Sequence, residues 1–182
     1  MDKNHTTFEN FQLLEENLIP SKSNLLFYEK AFSKIKLIQE ISSKQNLPIL
    51  YIDLDFLFSG YIKSQLLTIP NLTLFSTLES KINEILPQIL TKISRESHLV
   101  IFDSINGLYN TLSNDVNSGR LVNSILMLLA RNVSFSNSIL LIFALARKKE
   151  KNWLLPNGRQ ILQNAKMKNF LISDRSKITI EN

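Results

Sequence analysis

The chain has no cysteine and only four glycines among its 182 residues. Without cysteine, disulfides and thiolate metal sites are excluded. The longest apolar run is Ile139–Ala146, eight residues, which is far below the roughly 20 residues of a membrane-spanning helix. The N-terminal residues also lack the apolar core of a signal peptide. We therefore expect a cytoplasmic protein (nuclear if eukaryotic) that has no membrane partner.

The positive charge of the chain is unevenly distributed. The net charge is +5, yet residues 1–146 contain 12 basic and 13 acidic residues. Residues 147–177 contain nine basic and two acidic residues. A local excess of positive charge indicates either a polyanionic partner or a solvated basic face.

Apolar strand patterns alternate with amphipathic helix patterns from residue 24 onward. The predicted strands are Asn24–Tyr28, Pro48–Asp53, Asn71–Phe75, 98–103, Ile139–Ala146, Asn169–Ser173 and Ser176–Ile180. The predicted helices are Ala31–Lys44, residues 78–93 with an interrupting Pro87, and Gly119–Val133. This alternation predicts an α/β domain over residues 24–182, with a mostly parallel sheet covered on both faces. Residues 1–23 are predicted to be an N-terminal arm or a capping helix.

Several charged residues follow the predicted strands directly. Asp53, Asp55, Asp103 and Arg147 all fall where strands end. Ligands of open parallel sheets bind outside the carboxyl ends of the strands. We therefore expect any functional site to lie at this edge of the sheet.

In order and spacing, four stretches resemble the core ATPase domain of the RecA/RadA/KaiC family. Pro48–Asp55 resembles the family's second strand and its catalytic acid, and Leu99–Ile105 resembles the Walker B strand. Ser138–Arg147 resembles the strand that leads into a DNA-binding loop. Pro156–Leu162 and Asn169–Ser173 resemble the family's Pro-Gly-Gly segment and the strand after it. The resemblance implies a RecA-like three-layer sandwich with sheet order 3-2-4-5-1 and a C-terminal antiparallel hairpin.

The Walker A motif is where the chain departs from this family. Residues 28–35, Tyr-Glu-Lys-Ala-Phe-Ser-Lys-Ile, stand at its position. Lys34 occupies the place of the phosphate-binding lysine, but Tyr28 and Ser33 replace both glycines. Ile35 replaces the hydroxyl that binds Mg²⁺, and its side chain has no oxygen ligand to offer. The sequence therefore predicts no cofactor and no ATP hydrolysis.

Three residues are candidates for a vestigial nucleotide site: Lys34, Asp55 and Asp103. Asp103 could be a residual metal ligand, or a carboxylate that caps the end of its strand. Asp55 stands near the position of the family's catalytic carboxylate. Lys34 could be a solvent-facing helix residue or the partner of one of these acids.

The basic segment from Arg147 onward, predicted to be a loop as far as about Arg159, is the strongest positive indication of function. Its cations suit phosphate groups and Trp153 suits stacking on a base. The predicted nucleic-acid-binding residues are Arg147, Lys148, Lys149, Lys151, Trp153, Arg159, Lys166 and Lys168, with Arg175 and Lys177 as further cations. The alternative is that Trp153 and its apolar neighbours pack onto the core while the lysines only increase solubility.

These features predict a non-catalytic RecA-like subunit that acts with related subunits. The resemblance to recombinase paralogs implies binding to single-stranded DNA during recombination or repair. The Elongator accessory subunits, which act in tRNA modification, are the first alternative within the same fold. A protein-assembly module with no nucleic-acid contact and a KaiC-like ATPase with a degenerate loop are the others.

Overall fold

A seven-stranded sheet forms the centre of the chain. The computed structural model describes residues 8–77, 81–149, 152–156, 167–173 and 176–181. In that part, the strands are β1 (Ser23–Tyr28), β2 (Ile49–Asp53), β3 (Leu72–Ser76), β4 (Leu99–Asp103), β5 (Ile139–Leu145), β6 (Arg147–Lys149), β7 (Asn152–Leu154), β8 (Lys168–Ile172) and β9 (Ile178–Glu181). The helices are α1 (Phe11–Glu15), α2 (Ala31–Lys44), α3 (Leu57–Lys63), α4 (Ile82–Arg95), α5 (Ile105–Thr111) and α6 (Ser118–Phe135).

The sheet order is β3-β2-β4-β5-β1-β8-β9. The five strands β3, β2, β4, β5 and β1 are parallel, which confirms the predicted 3-2-4-5-1 order. Strand β8 adds parallel to β1, and β9 pairs antiparallel with β8 as the predicted C-terminal hairpin. Every residue of β2 and β4 is buried, which explains why these strands are apolar without alternation.

Helices cover both faces of the sheet and give the fold three layers. On one face, the buried residues of α4, α5 and α6 pack on alternate strand residues such as Val100 and Ile142. On the other face, α2 and α3 pack on residues such as Tyr51 and Ile101. The N-terminal segment joins this second face, because Phe8, Phe11 and Leu14 are buried within it.

The structure corrects several local predictions. Pro87 does not split its helix, since α4 runs through it from Ile82 to Arg95. Helices α3 and α5 were not predicted; each has seven residues, which is too short for a clear periodic pattern. The charged segment after β5, which we predicted to be a loop, contains an antiparallel two-stranded ribbon formed by β6 and β7.

Candidate functional site at the carboxyl edge of the sheet

The predicted acids meet where the central parallel strands end. Asp53 is the last residue of β2, Asp103 is the last residue of β4, and the two are partners in register. Asp55 follows β2 by two residues. Ser104 follows β4 through a cis peptide bond and caps α5, where its hydroxyl accepts a hydrogen bond from the backbone N–H of Gly107. The edge therefore has the position that the topology predicts for a ligand site.

Lys34 is the central cation of this site, and it is fully buried. Its Nζ lies 2.6 Å from Oδ1 and 2.7 Å from Oδ2 of Asp103. The same ammonium is 3.8 Å from Oδ2 of Asp55 and 4.9 Å from the ring centre of Tyr28. Of the two sequence interpretations, the solvent-facing one is wrong and the pairing with an acid is confirmed. Helix α2 places Lys34 in its first turn, facing the sheet.

Asp103 is also bound by a tyrosine from the neighbouring strand. The Tyr51 hydroxyl donates to Asp103 Oδ2 at 2.5 Å. The Tyr51 ring is fully buried and stacks on Phe58 of α3, with ring centres 3.8 Å apart. Both oxygens of Asp103 thus accept hydrogen bonds from side chains, rather than from the backbone groups that the strand-capping interpretation had expected.

Asp55 forms the outer part of the same network. It accepts a hydrogen bond from the Ser104 hydroxyl at 2.6 Å and a long one from the Tyr28 hydroxyl at 3.5 Å. Its side chain is 23% exposed, whereas those of Lys34 and Asp103 are fully buried. We refer to Lys34, Asp103, Asp55, Tyr28 and Tyr51 as the lysine–aspartate cluster.

Burial and charge shift the pKa values of this cluster. Burial alone would lower the pKa of Lys34, but the nearby Asp103 carboxylate raises it, and the net pKa lies above the ordinary value for lysine. Burial raises the pKa of Asp103, while the Lys34 ammonium acts in the opposite direction. Burial also raises the pKa of Tyr28 to about 12 and that of Tyr51 well above its usual value. Lys34 is therefore an ammonium at neutral pH, paired inside the protein.

The connection between β1 and α2 stands where a phosphate loop would be. It contains only Glu29 and Lys30, and the backbone of Lys30 is extended, with φ −124° and ψ 131°. No residue from 28 to 35 has a positive φ. A phosphate loop wraps its ligand with successive backbone N–H groups, and this connection is too short to do so. The residues at this position do not fit MgATP, because Ile35 offers no metal ligand and the Lys34 ammonium is bound to Asp103.

Gly107 allows the two acidic segments to meet. A Cβ at this position would lie 2.5 Å from Asp55 Oδ1 and 2.7 Å from the backbone carbon of Leu54. A side chain in α5 would therefore push the Leu54–Asp55 segment away from the cluster. One oxygen of Asp53 accepts hydrogen bonds from the backbone N–H and the hydroxyl of Ser59 in α3. Among the described residues, no group of His, Cys, Asp and Glu is arranged to hold a metal ion.

The basic ribbon, β6 with β7, continues directly from this edge. Ala146 is buried, and Arg147, the first residue of β6, is exposed. Arg147 pairs with Leu154, Lys148 with Trp153, and Lys149 with Asn152. The register therefore brings Lys148 and Trp153 opposite each other along the two strands.

Two of the other predicted nucleic-acid residues, Lys168 and Lys177, are described by the structure. Lys168 is exposed but opens β8 beside Asn24, toward the amino-terminal edge of the sheet. Lys177 pairs with Glu9 at 2.9 Å. Lys151, Arg159, Lys166 and Arg175 lie outside the described residues. The nucleic-acid role of all these residues stays a prediction.

Sequence reasoning missed three members of the site: Tyr51, Ser104 and Gly107. Tyr51 carried a signal, because alternation along β2 places it on the same face as Asp53. Ser104 also carried one, as a hydroxyl residue directly before an apolar helix start. The close approach of Gly107 to Leu54 left no signal in the sequence, because it depends on a contact between segments that are distant in sequence.

Comparisons with known proteins bear on the fold of the chain. No protein-family model and no curated protein matches the chain. Among solved structures, the RadB recombinase is 14% identical over 91% of this chain and 82% of that one, with a TM-score of 0.59. A KaiC-like protein, PH0186 from Pyrococcus horikoshii OT3, is 12% identical over 100% of this chain and 99% of that one, with a TM-score of 0.47. The chain has the RecA-like fold, and no helix in its described part is long and apolar enough to cross a membrane.

Proposed function

We propose that the chain is a non-catalytic RecA-fold subunit that binds single-stranded nucleic acid and related subunits, in the manner of a recombinase paralog. The observation that carries the proposal is the pairing of Lys34 with Asp103 directly beside a basic ribbon. In this arrangement the position of the phosphate lysine is used for internal structure, while the adjoining ribbon begins with an exposed cation, Arg147.

The poor fit of residues 28–35 to MgATP supports the non-catalytic part of the proposal. Phosphoryl transfer depends on a positioned phosphate and on metal ions that neutralise its charge. Here the connection from β1 to α2 has two residues, and Lys34 donates to both oxygens of Asp103. The internal ammonium replaces the charge that a bound cation would supply to this carboxylate.

The ribbon supports the nucleic-acid part. Three consecutive cationic residues, Arg147, Lys148 and Lys149, form one strand of the ribbon, and Trp153 is the register partner of Lys148. Cations on phosphate with an aromatic ring on a base form the usual combination for single-stranded nucleic acid. The structural likeness to a protein described as a recombinase agrees with DNA as the ligand.

Fluorescence anisotropy with labelled single-stranded DNA and with tRNA tests this proposal. We expect salt-sensitive binding that MgATP does not change. Lys148→Glu with Lys149→Glu should weaken binding and reduce the slope of log K against log salt by about 1.4, since each lost phosphate contact removes about 0.7. A preference for tRNA would favour the tRNA-modification alternative.

The control is a double charge reversal elsewhere, Lys81→Glu with Lys92→Glu, at two exposed lysines of the α4 region. It changes the net charge equally and should leave the slope almost unchanged. Equal losses of binding affinity in the two double variants would contradict the assignment of nucleic-acid binding to the ribbon. Binding that requires MgATP would contradict the non-catalytic assignment.

A further inference from the structure

Helix α6 carries an uncovered apolar groove on its outer side. The groove has a volume of about 610 Å³ and lies between α6 and the segment that leads into β1. Met127, Leu128 and Phe135 line it, and they are 46%, 41% and 76% exposed. Exposed side chains of this size on one helix face mark an interaction surface when they are contiguous.

The walls of the groove are held by hydrogen bonds. Ser21 donates from its hydroxyl to the backbone oxygen of Ser134 at 3.0 Å, and its N–H donates to the backbone oxygen of Ser138 at 2.7 Å. These bonds join the segment before β1 to the end of α6. Met167, just before β8, closes the floor. The groove is therefore preformed, and its two methionines suit an adaptable apolar contact.

The charge around the groove is of one sign. Lys22 and Arg131 line it, and none of the described lining residues is acidic. The Arg131 guanidinium stacks on Phe135 at 5.2 Å, and neither cation forms an ion pair with a described residue. An apolar floor with unpaired cations complements a ligand that combines apolar side chains with carboxylates.

We propose that this groove binds an acidic amphipathic helix of another protein. From Ser124 to Phe135 the groove follows α6 for about 17 Å at ~1.5 Å per residue, which matches three turns of a partner helix. The surface lies at the amino-terminal end of the strands, beside the start of β1. The basic ribbon follows the other end, so the inference is independent of the proposed nucleic-acid function.

A second copy of this chain offers a poorer match. Helix α6 contains Arg120 and Arg131 but no acidic residue, so two α6 helices would bring no carboxylate to either arginine. Helix α1 ends in an exposed acid, Glu15, and a second one, Glu16, follows it, but its apolar residues Phe11 and Leu14 are already buried in the core of this chain. Nucleic acid would supply the negative charge but no aliphatic face for Met127 and Leu128.

The experiment uses the whole chain and a panel of synthetic amphipathic helices of about 15 residues, with leucine and phenylalanine along one face and glutamate beside it. A second panel carries lysine in place of glutamate. We expect micromolar binding of acidic peptides, with NMR shift changes on α6. Leu128→Glu should weaken binding at least tenfold, and Arg131→Glu should reverse the preference from acidic to basic peptides.

Leu121→Glu is the matched control. Leu121 lies on the same helix and is 37% exposed, but it does not line the groove, so this variant should bind like the wild type. Thermal melts check that all three variants fold. The proposal is overturned if no acidic peptide binds, if basic peptides bind equally well, or if Leu121→Glu and Leu128→Glu lose binding equally.

Two other results would assign the groove to a different occupant and would also overturn the proposal. One is a wild-type oligomer in sedimentation that Leu128→Glu converts to a monomer. The other is a loss of oligonucleotide binding in Leu128→Glu that Lys148→Glu with Lys149→Glu does not reproduce.

Discussion

The lysine–aspartate cluster and the basic ribbon stand at the same edge of the sheet, yet their charges are used in opposite ways. In the cluster, the ammonium of Lys34 and the carboxylate of Asp103 are fully buried and bound to each other. In the ribbon, Arg147 is exposed, and its strand continues with two further lysines. The comparison shows one buried, paired set of charges and one exposed cation, Arg147, at the same edge.

Burial is the physical basis of this difference. A charge removed from water requires a partner of opposite sign and further hydrogen bonds, whereas a solvated charge requires neither. Removing one partner from the cluster should therefore affect stability strongly, while changes in the ribbon should affect binding and leave stability nearly unchanged.

The largest expected effect comes from breaking the buried pair. Lys34→Met leaves the Asp103 carboxylate buried without its cation, and we expect a loss of about 3–5 kcal/mol in the free energy of unfolding. Urea denaturation followed by circular dichroism measures it. Lys34→Met combined with Asp103→Leu should recover part of this loss, because no unpaired charge remains.

Lys36→Met is the control for the same helix. Lys36 is half-buried and its Nζ lies 4.6 Å from the ring centre of Phe32, so its loss should cost below about 1 kcal/mol. If Lys34→Met is no more destabilising than Lys36→Met, the cluster does not hold the fold together and the comparison fails.

The second effect is a loss of stability at alkaline pH. Tyr28, Tyr51 and Lys34 all have raised pKa values in the folded chain. The unfolded chain releases these protons first, near pH 10, while the folded chain retains them. The contribution of these groups to the free energy of unfolding is therefore complete below about pH 10 and falls as the pH rises above it. The shift of the Tyr28 pKa to about 12 accounts for about 2–3 kcal/mol of this fall.

Urea midpoints measured between neutral pH and pH 11 follow the first part of this loss, which is complete only above the folded pKa of Tyr28, about 12. Tyr28→Phe should flatten the alkaline part of the curve, because the group that titrates there is removed. Tyr61→Phe, on α3, controls for the loss of a hydroxyl outside the cluster. An alkaline slope in Tyr28→Phe as steep as that of the wild type would show that Tyr28 does not contribute.

The third effect is steric. Gly107→Ala would place a Cβ 2.7 Å from the backbone of Leu54, and we expect a destabilisation of about 1–3 kcal/mol from this overlap. Gly60→Ala is the matched control, since a Cβ there has no atom within 4 Å; it should stabilise α3 by about 0.5–1 kcal/mol. Thermal unfolding compares the two, and a stabilising Gly107→Ala would contradict the close approach.

Much of the fold was predictable from local patterns. The predicted helix Ala31–Lys44 coincides with α2, and the apolar strands were located to within one or two residues. Buried parallel strands leave a strong signal because both of their faces are apolar. Helices α3 and α5 left a weak one, since their seven residues form barely two turns. The β6–β7 ribbon was hidden by its charge, because exposed strands lack the apolar pattern of buried ones.

The candidate site was predictable in its position but not in its contacts. Strand ends determine where Asp53, Asp55 and Asp103 must lie, and the scarcity of glycine already argued against a phosphate loop. The partner of Lys34 remained open, because Lys34 and Asp103 are separated by 69 positions in sequence and no local pattern connects them.

The amino-acid order by itself thus determined the elements and the lack of glycine at the position of the phosphate loop, because these depend on periodicity and on which residue types are present. The order of the strands was expected only from the family resemblance. The tertiary structure decided that Lys34 points inward to Asp103, that Gly107 allows Asp55 to approach, and that α6 has one face left uncovered. These outcomes depend on how distant segments pack, and packing settles which charges are buried in pairs and which remain in water.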